Sequence, residues 1–271
     1  MLSPVFIGLL LGLLFGSYGN SLVHRLPRKM LQEWRQDAQE ELGVPLDAAD
    51  STLTASRSHC PQCRSTIRWF DNLPVVSWCL LRGRCRDCRA AIPVRYIALE
   101  IAGAAIGGLT AAHFGLTFSA AVVACAGFLL LWLSAIDVEH QLLPDTLIGP
   151  LLWLGLVAAV NHLFVSPLEA VYGALAGFLL LKVPAMGFEL VKGRDGLGDG
   201  DPKLMLAIGA YIGPIGIGYA MLVAALAGLL MHFAVVFLRG RQWETPLPFG
   251  QWLALGGAAV FVAQALHMVS F

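Results

Sequence analysis

Long apolar runs are the feature that most constrains this chain of 271 residues. Runs of about 20 apolar residues match the hydrocarbon core of a bilayer. Only 13% of the residues are charged, against about 25% in soluble domains. The pattern predicts an all-α polytopic membrane protein with about eight transmembrane helices. The predicted spans are residues 3–23, 96–114, 117–136, 146–164, 168–190, 203–213, 215–238 and 249–269.

Two of these spans leave alternatives. The sixth is short and ends at Gly213-Pro214, so it is either a separate span or the first half of one broken helix with the seventh. The first span has no basic residues before its apolar core and no small-x-small cleavage site. We therefore interpret it as an uncleaved helix, with a cleaved signal peptide as the alternative.

Lysine and arginine are sorted by connection, and this sorting predicts the topology. Residues 24–95 hold twelve of the eighteen basic residues, 191–203 hold three and 239–248 hold two. By the positive-inside rule these connections are cytoplasmic. Both termini are then periplasmic, and the connection 137–145 falls on the cytoplasmic side by alternation.

The predicted order divides the chain into three regions. Residues 1–23 form the first helix, 24–95 a cytoplasmic cysteine-rich domain, and 96–271 a membrane domain of seven helices. A solvated helix is predicted from Met30 to Leu42, because its apolar residues repeat at helical spacing. The net charge is zero, and tethering among membrane spans argues against a nucleic-acid partner.

Two Cys-x-x-Cys pairs lie 21 residues apart in the region 24–95. Two close pairs of thiolates suit a tetrahedral structural zinc site. The alternatives are two disulfides or an iron–sulfur cluster, but disulfides rarely persist in the predicted cytoplasmic location. The four predicted zinc ligands are Cys60, Cys63, Cys85 and Cys88.

Two aspartates lie at the edges of predicted membrane spans, where an ionisable group is costly and indicates a functional role. Asp137 ends the third span and Asp201 opens the sixth, on the same predicted face. Two adjacent carboxylates share one proton near neutral pH, as aspartyl proteolysis requires. We therefore predict an intramembrane aspartyl protease with Asp137 and Asp201 as catalytic residues. The alternatives are that Asp201 only caps the sixth helix, since Pro202 follows it, or that Asp199 is the second carboxylate.

The residues around Asp201 are candidates for substrate binding. Glycines at 198 and 200 let the backbone approach a peptide closely, and Lys203 adds a positive charge. We expect Gly198, Gly200 and Lys203 to contact the substrate, and Lys203 to pair with an aspartate of its own loop or with the catalytic pair. Asp145 is interpreted as a helix cap.

Short motifs spread over nearly the whole chain form a specific combination. They are Arg25-Leu26-Pro27, His59-Cys60-Pro61-x-Cys63, Trp69-x-Asp71-Asn72-x-Pro74, Ser77-Trp78, Arg82-Gly83-Arg84-Cys85-x-x-Cys88, Arg95-Tyr96 with Glu100, Ile136-Asp137 with Leu143-Pro144-Asp145, and Gly198-Asp199-Gly200-Asp201-Pro202-Lys203. This combination resembles the prepilin peptidases, the type IV leader peptidases of type IV pilus and type II secretion systems. The last motif resembles that family's Gly-x-Gly-Asp-x-Lys and favours Asp201 over Asp199.

The resemblance implies a bifunctional enzyme of the bacterial inner membrane. It would cleave the basic leader of prepilins and pseudopilins at the cytoplasmic face and then methylate the new N-terminus with S-adenosylmethionine. It also implies catalytic roles for Asp137 and Asp201 and zinc ligation by the four cysteines. The sequence shows no S-adenosylmethionine site and no oligomeric state.

Two other functions are kept as alternatives. A related intramembrane aspartyl protease without methyl transfer is one, although such proteins tend to lack a cysteine-bearing domain. An ion-coupled transporter using the two aspartates is the other. It predicts acidic residues near the bilayer midplane and inverted repeats, and the sequence has neither pattern.

Overall fold

The computed structural model describes residues 3–45, 59–60, 62–193, 196–239 and 248–268. These residues are mostly helical, and none of them forms an extended strand, which confirms the predicted fold class. The chain divides into two compact units, residues 1–120 and residues 121–271. Parts of the predicted cytoplasmic loops, at 46–58 and 240–247, lie outside the described residues.

The first unit is built on two long helices that pack closely. Helix α1 runs over Pro4–Glu41 and α3 over Arg95–Phe114, with a 3₁₀ turn at Trp69–Asn72 and a short helix α2 at Val76–Leu80 between them. Five glycines lie in this contact, and a Cβ added to any of them would overlap the backbone of the other helix. Such small residues let membrane helices approach closely. The contact glycines are Gly8, Gly12, Gly16, Gly103 and Gly107.

Helix α1 differs from the prediction at its centre. The sequence predicts a span ending at residue 23 and a separate helix from Met30, but one helix continues through Pro27 to Glu41. Proline interrupts the hydrogen bonding of a membrane helix without ending it where neighbouring groups compensate. Pro27 is fully buried, and the exposed Lys29–Glu33 pair follows it one helical turn later, at 3.5 Å.

The second unit contains five helices, and the longest of them is at its centre. That segment, α7, packs against three of the other four, α5, α6 and α8. Helices α4 and α7 carry the two aspartates near their ends. The five helices are α4 (Phe118–His140), α5 (Asp145–Val160), α6 (Pro167–Lys192), α7 (Gly200–Arg239) and α8 (Gly250–Met268).

Helix α7 contains the break that the sequence left undecided. The backbone at Gly213 has φ 70° and ψ 178°, a conformation that glycine adopts without strain. The side-chain amide of Gln264 donates a 3.1 Å hydrogen bond to the carbonyl of Ile212, which satisfies a backbone acceptor at the break. Gly257 of α8 lies against Ile208, before the break, and Gly256 lies against Ala220, after it. The chain therefore reverses at Gly213-Pro214, and the sixth and seventh predicted spans are two helices within α7 that meet at this break.

Five of the helices are long and apolar enough to cross a membrane, namely α1, α3, α4, α6 and α7. Helices α5 and α8 are also apolar but shorter. Helix α5 ends at Val160, before residue 164 where the sequence predicts its end. The chain is a multi-pass membrane protein.

Candidate active site and metal centre

The structure brings together the two aspartates that the sequence singled out. Asp137 lies three residues before the end of α4, and Asp201 lies in the first turn of α7. Both are buried, with 5% and 8% of their surface exposed. The two carboxylates lie close enough for the charge of Asp137 to interact electrostatically with Asp201. Two buried carboxylates in this arrangement form a candidate catalytic pair.

The side chain of Leu143 packs against the start of α7, beside Asp201, and against the start of α8. A Cβ at Gly200 would lie 2.6 Å from the Cβ of Leu143, and a Cβ at Gly250 would lie 2.9 Å from its Cδ1. These distances are too short for any side chain without displacement of Leu143. Glycine therefore allows Leu143 to pack closely both beside Asp201 and at the start of α8.

The start of α8 supplies hydrogen-bond donors to Asp137. The backbone N–H of Gln251 donates to Oδ2 of Asp137 at 2.9 Å, and the backbone of Gly250 donates to the same carboxylate. A Cβ at Gly250 would lie 3.0 Å from that oxygen. A helix N-terminus is a natural site for a negative charge because its first N–H groups have no intrahelical partner.

These donors are functional residues that the sequence interpretation missed. Gly250 and Gln251 lie more than a hundred positions after Asp137, so no local pattern connects them. The one local signal is Pro248-Phe249-Gly250 at the start of the last span. A proline followed closely by glycine marks a constrained turn.

Asp201 has a different environment from Asp137. Within the described part of the chain, no residue donates a hydrogen bond to its carboxylate, and its backbone N–H donates to the carbonyl of Gly198 at 3.3 Å. Helix α7 begins at Gly200, so Asp201 lies inside the first turn and not at the capping position.

Two exposed ion pairs surround the aspartate pair. Lys203 donates to Oδ2 of Asp145 at 2.6 Å, and Lys182 donates to Oδ1 of Asp199 at 2.6 Å. The hydrogen bond from Lys182 lowers the pKa of Asp199. Among the described residues Lys203 therefore pairs with Asp145 and not with Asp199 or the catalytic pair, while Asp195 lies outside those residues. The predicted capping role of Asp145 is wrong, because the N-cap of α5 is Pro144 and no side chain caps it. No atom of the described chain lies within 4 Å of a Cβ built at Gly198.

The four predicted metal ligands form one cluster in the first unit. Their sulfur atoms all lie within 4.8 Å of one another. The Sγ atoms of Cys60 and Cys88 are 3.8 Å apart, and a tetrahedral site with 2.3 Å zinc–sulfur bonds places its sulfurs about 3.8 Å apart. The cluster has the size and donor atoms to hold a metal ion.

The two Cys-x-x-Cys pairs adopt the same turn. Arg64 donates its backbone N–H to the carbonyl of Cys60 at 2.9 Å, and Arg89 donates to that of Cys85 at 3.1 Å. The residue that follows each pair has a positive φ, 56° at Arg64 and 60° at Arg89. The repeated turn aims two thiols of each pair at a common point, as metal knuckles do.

The surroundings of three of the thiols shift their pKa values in opposite directions. Hydrogen bonds from Ser65 lower the pKa of Cys63 to about 6, and backbone hydrogen bonds led by that of Cys88 lower the pKa of Cys85. A backbone hydrogen bond from Ala90 lowers the pKa of Cys88, but desolvation and the neighbouring thiols outweigh it and raise the value to about 11. A cation would replace the proton that the cluster retains.

Comparison with known families and proteins gives consistent matches. Residues 10–114 match the model of the bacterial peptidase A24 N-terminal domain, and residues 122–235 match the model of the type IV leader peptidase family. No solved structure matches the chain significantly.

Several curated proteins are similar over almost the full length. A prepilin leader peptidase/N-methyltransferase of Pseudomonas aeruginosa is 42% identical over 258 residues, which is 94% of this chain and 89% of that protein. A protein of the same name from Burkholderia pseudomallei is 41% identical over 93% of this chain and 82% of its own length. One from Dickeya chrysanthemi is 38% identical, over 95% and 92%.

Proposed function

Because the chain belongs to the type IV leader peptidase family, we propose that it cleaves prepilins or type II secretion pseudopilins and then N-methylates them. The observation that supports the peptidase activity most strongly is the buried Asp137–Asp201 pair with the N-terminus of α8 bound to one of its members. The enzyme acts in the bacterial inner membrane. Its termini are periplasmic, and the domain 24–95 and the aspartate pair are cytoplasmic, as the charge sorting favours.

The different surroundings of the two carboxylates support different proposed roles for them. Asp137 accepts hydrogen bonds from the N-terminus of α8, and such bonds favour a charged carboxylate. Asp201 is buried, lies next to this charge and receives no hydrogen bond from the described residues, so it retains the shared proton. Asp137 is then the general base and Asp201 the general acid.

The cleavage step balances with these roles. Asp137 takes a proton from a water molecule while the water oxygen attacks the carbonyl carbon of the scissile bond, and Asp201 gives its proton to the carbonyl oxygen. The C–N bond then breaks as Asp137 passes its proton to the leaving nitrogen, and Asp201 recovers a proton from the hydroxyl that becomes the new carboxyl group. The pair returns to its starting state.

The loop before Asp201 is proposed to contact the peptide. The open space beside Gly198 leaves room for an extended backbone. The space beside Gly200 is filled by Leu143, so we propose that Gly200 lets α7 begin close to the site and does not itself contact the peptide. Lys203 and Asp145 form an ion pair at the edge of the loop, where both side chains stay exposed enough to meet a substrate.

The cysteine cluster is proposed to bind one structural zinc ion, since its four sulfurs have the spacing and chemistry of such a site.

For methyl transfer, S-adenosylmethionine supplies the methyl group when bound. The amine nitrogen of the new N-terminus takes this methyl carbon, the electron pair of the broken C–S bond stays on sulfur, and one amine proton leaves to solvent.

The test is incubation of the purified full chain with a prepilin and methyl-labelled S-adenosylmethionine. We expect the leader to be released and the label to appear on the mature N-terminus. Cleavage without label would establish the peptidase activity alone. The absence of both products, the released leader and the labelled N-terminus, would contradict the proposed function. A transporter is disfavoured because Asp137 and Asp201 lie close to helix ends.

A further inference from the structure

The first unit contains a cavity beside the cysteine cluster, and Cys60 and Cys85 form part of its wall. It has a volume of about 350 Å³ and lies between the cysteine knuckles, the 3₁₀ turn, α2 and the start of α3. Small-molecule sites typically have volumes of about 300–1,000 Å³. Motif residues without a role in metal binding or peptide cleavage line this cavity, namely Asp71, Asn72, Ser77, Trp78, Tyr96 and Glu100.

Glu100 is the charged group that most needs a ligand. It is 8% exposed, and its Oε2 accepts a 2.7 Å hydrogen bond from the backbone N–H of Val75. The hydroxyl of Ser17 donates a second hydrogen bond to the same carboxylate. No Lys, Arg or His of the described ranges forms an ion pair with it. A buried carboxylate without a cation is costly, so this cavity favours a positively charged occupant.

The backbone that binds Glu100 is held in an unusual conformation. Val75 has φ 61° and ψ −48°, which is strongly disfavoured for a β-branched residue. Strain of this kind concentrates at binding and catalytic sites, where the surrounding structure maintains it. The strain presents the Val75 N–H to Glu100 and so fixes the carboxylate at the cavity wall.

The other carboxylate of the cavity is already neutralised. Asp71 accepts hydrogen bonds from Nη2 of Arg86 at 2.6 Å and from Nε at 2.9 Å. Trp78 also lines the cavity, and its indole N–H is buried without an acceptor among the described residues. The cavity thus combines a buried carboxylate that has hydrogen bonds but no ion-pair partner among the described residues, aromatic surface and an unused hydrogen-bond donor.

We propose that this cavity is the binding site for S-adenosylmethionine, with Glu100 compensating the positive charge of the sulfonium. The inference rests on the proposed methyltransferase function. A sulfonium is a permanent cation, so a buried carboxylate favours it over the neutral thioether of S-adenosylhomocysteine. Trp78 offers aromatic surface, which attracts both flat bases and cations, whereas the guanidinium of Arg95 already lies over the ring of Tyr96, 4.8 Å from its centroid.

The test measures ligand binding to the purified full-length chain. Radiolabelled S-adenosylmethionine and S-adenosylhomocysteine are titrated against wild type, Glu100→Gln and Trp78→Phe. The glutamine keeps a carbonyl oxygen for the Val75 N–H but loses the charge. We expect Glu100→Gln to weaken S-adenosylmethionine binding by about tenfold or more and to weaken S-adenosylhomocysteine binding much less.

Controls separate this loss from misfolding. Glu40→Gln removes an exposed carboxylate of α1 in the same unit and should leave both affinities unchanged. Prepilin cleavage and metal content of Glu100→Gln should match wild type, because the aspartate pair belongs to the second unit and the cysteines are unaltered. Photo-crosslinking of labelled S-adenosylmethionine, mapped by mass spectrometry, should label peptides within residues 59–100.

Two results would overturn the proposal. One is unchanged S-adenosylmethionine affinity and unchanged preference over S-adenosylhomocysteine in Glu100→Gln, with the wild-type chain methylating prepilin normally. The other is crosslinking confined to residues 121–268. Failure of the proposed function itself would look different, because the wild-type chain would then neither cleave nor methylate prepilin.

Discussion

Replacing Gly250 with alanine tests how the catalytic carboxylate is held. A Cβ at this position would lie 3.0 Å from Oδ2 of Asp137 and 2.9 Å from Cδ1 of Leu143. Both distances are shorter than ordinary van der Waals contacts, so the carboxylate and Leu143 must shift. Because Oδ2 accepts the 2.9 Å hydrogen bond from Gln251, the shift lengthens or breaks that bond.

The expected loss of activity follows from the strength of this hydrogen bond. A hydrogen bond to a charged group contributes about 1.5–3 kcal/mol, and about 1.4 kcal/mol of activation free energy changes a rate tenfold. If the bond is lost in the catalytic conformation, kcat for cleavage falls by about tenfold to 150-fold. The effect belongs in kcat because the bond positions Asp137 and not the substrate.

The assay is steady-state cleavage of a purified prepilin by the full chain in detergent or liposomes. Gly218→Ala is the matched control, since no described residue outside its own helical turn comes within 4 Å of a Cβ at that position, and it should cleave at the wild-type rate. A folded Gly250→Ala variant with kcat within about twofold of wild type would refute the positioning of Asp137 by α8.

Two further predictions concern the neighbouring carboxylate and the metal cluster. Asp199→Asn should keep near-wild-type cleavage, measured in the same assay, because Asp199 forms an exposed pair with Lys182; loss of cleavage would make Asp199 the second catalytic carboxylate. Elemental analysis should find about one zinc per chain, and Cys60→Ser should lower both the zinc content and the melting temperature of the protein. Full-length chain without zinc but with four intact thiols would contradict the metal assignment.

The parts of the site that the sequence predicted are those with local signals. Cys-x-x-Cys pairs and the glycine-rich acidic loop each occupy a few consecutive residues, and their chemistry restricts their use. The cysteine cluster formed as predicted. Alternation of the predicted spans put Asp137 and Asp201 on one face, and the structure brings the two helix ends that carry them together.

The parts that the sequence missed depend on distant contacts. The N–H groups of Gly250 and Gln251 reach Asp137 only through packing of α8, and the pairing of Lys203 with Asp145 depends on the approach of α5 and α7. The sequence predicted a span ending at residue 23 and a separate helix from Met30, but one helix continues through the buried Pro27, because tertiary packing overrides local preference. The cavity beside Glu100 is assembled from four segments, so no single stretch of sequence contains it.

The most direct test of the central claim is cleavage by Asp137→Asn and Asp201→Asn variants, each assayed beside its methylation of an already cleaved pilin. Asparagine keeps the shape of the side chain but neither holds nor transfers the proton of the pair. We predict that both variants fail to cleave prepilin while they remain in the membrane and still methylate the cleaved pilin. Wild-type cleavage by either variant would contradict the catalytic role of the Asp137–Asp201 pair.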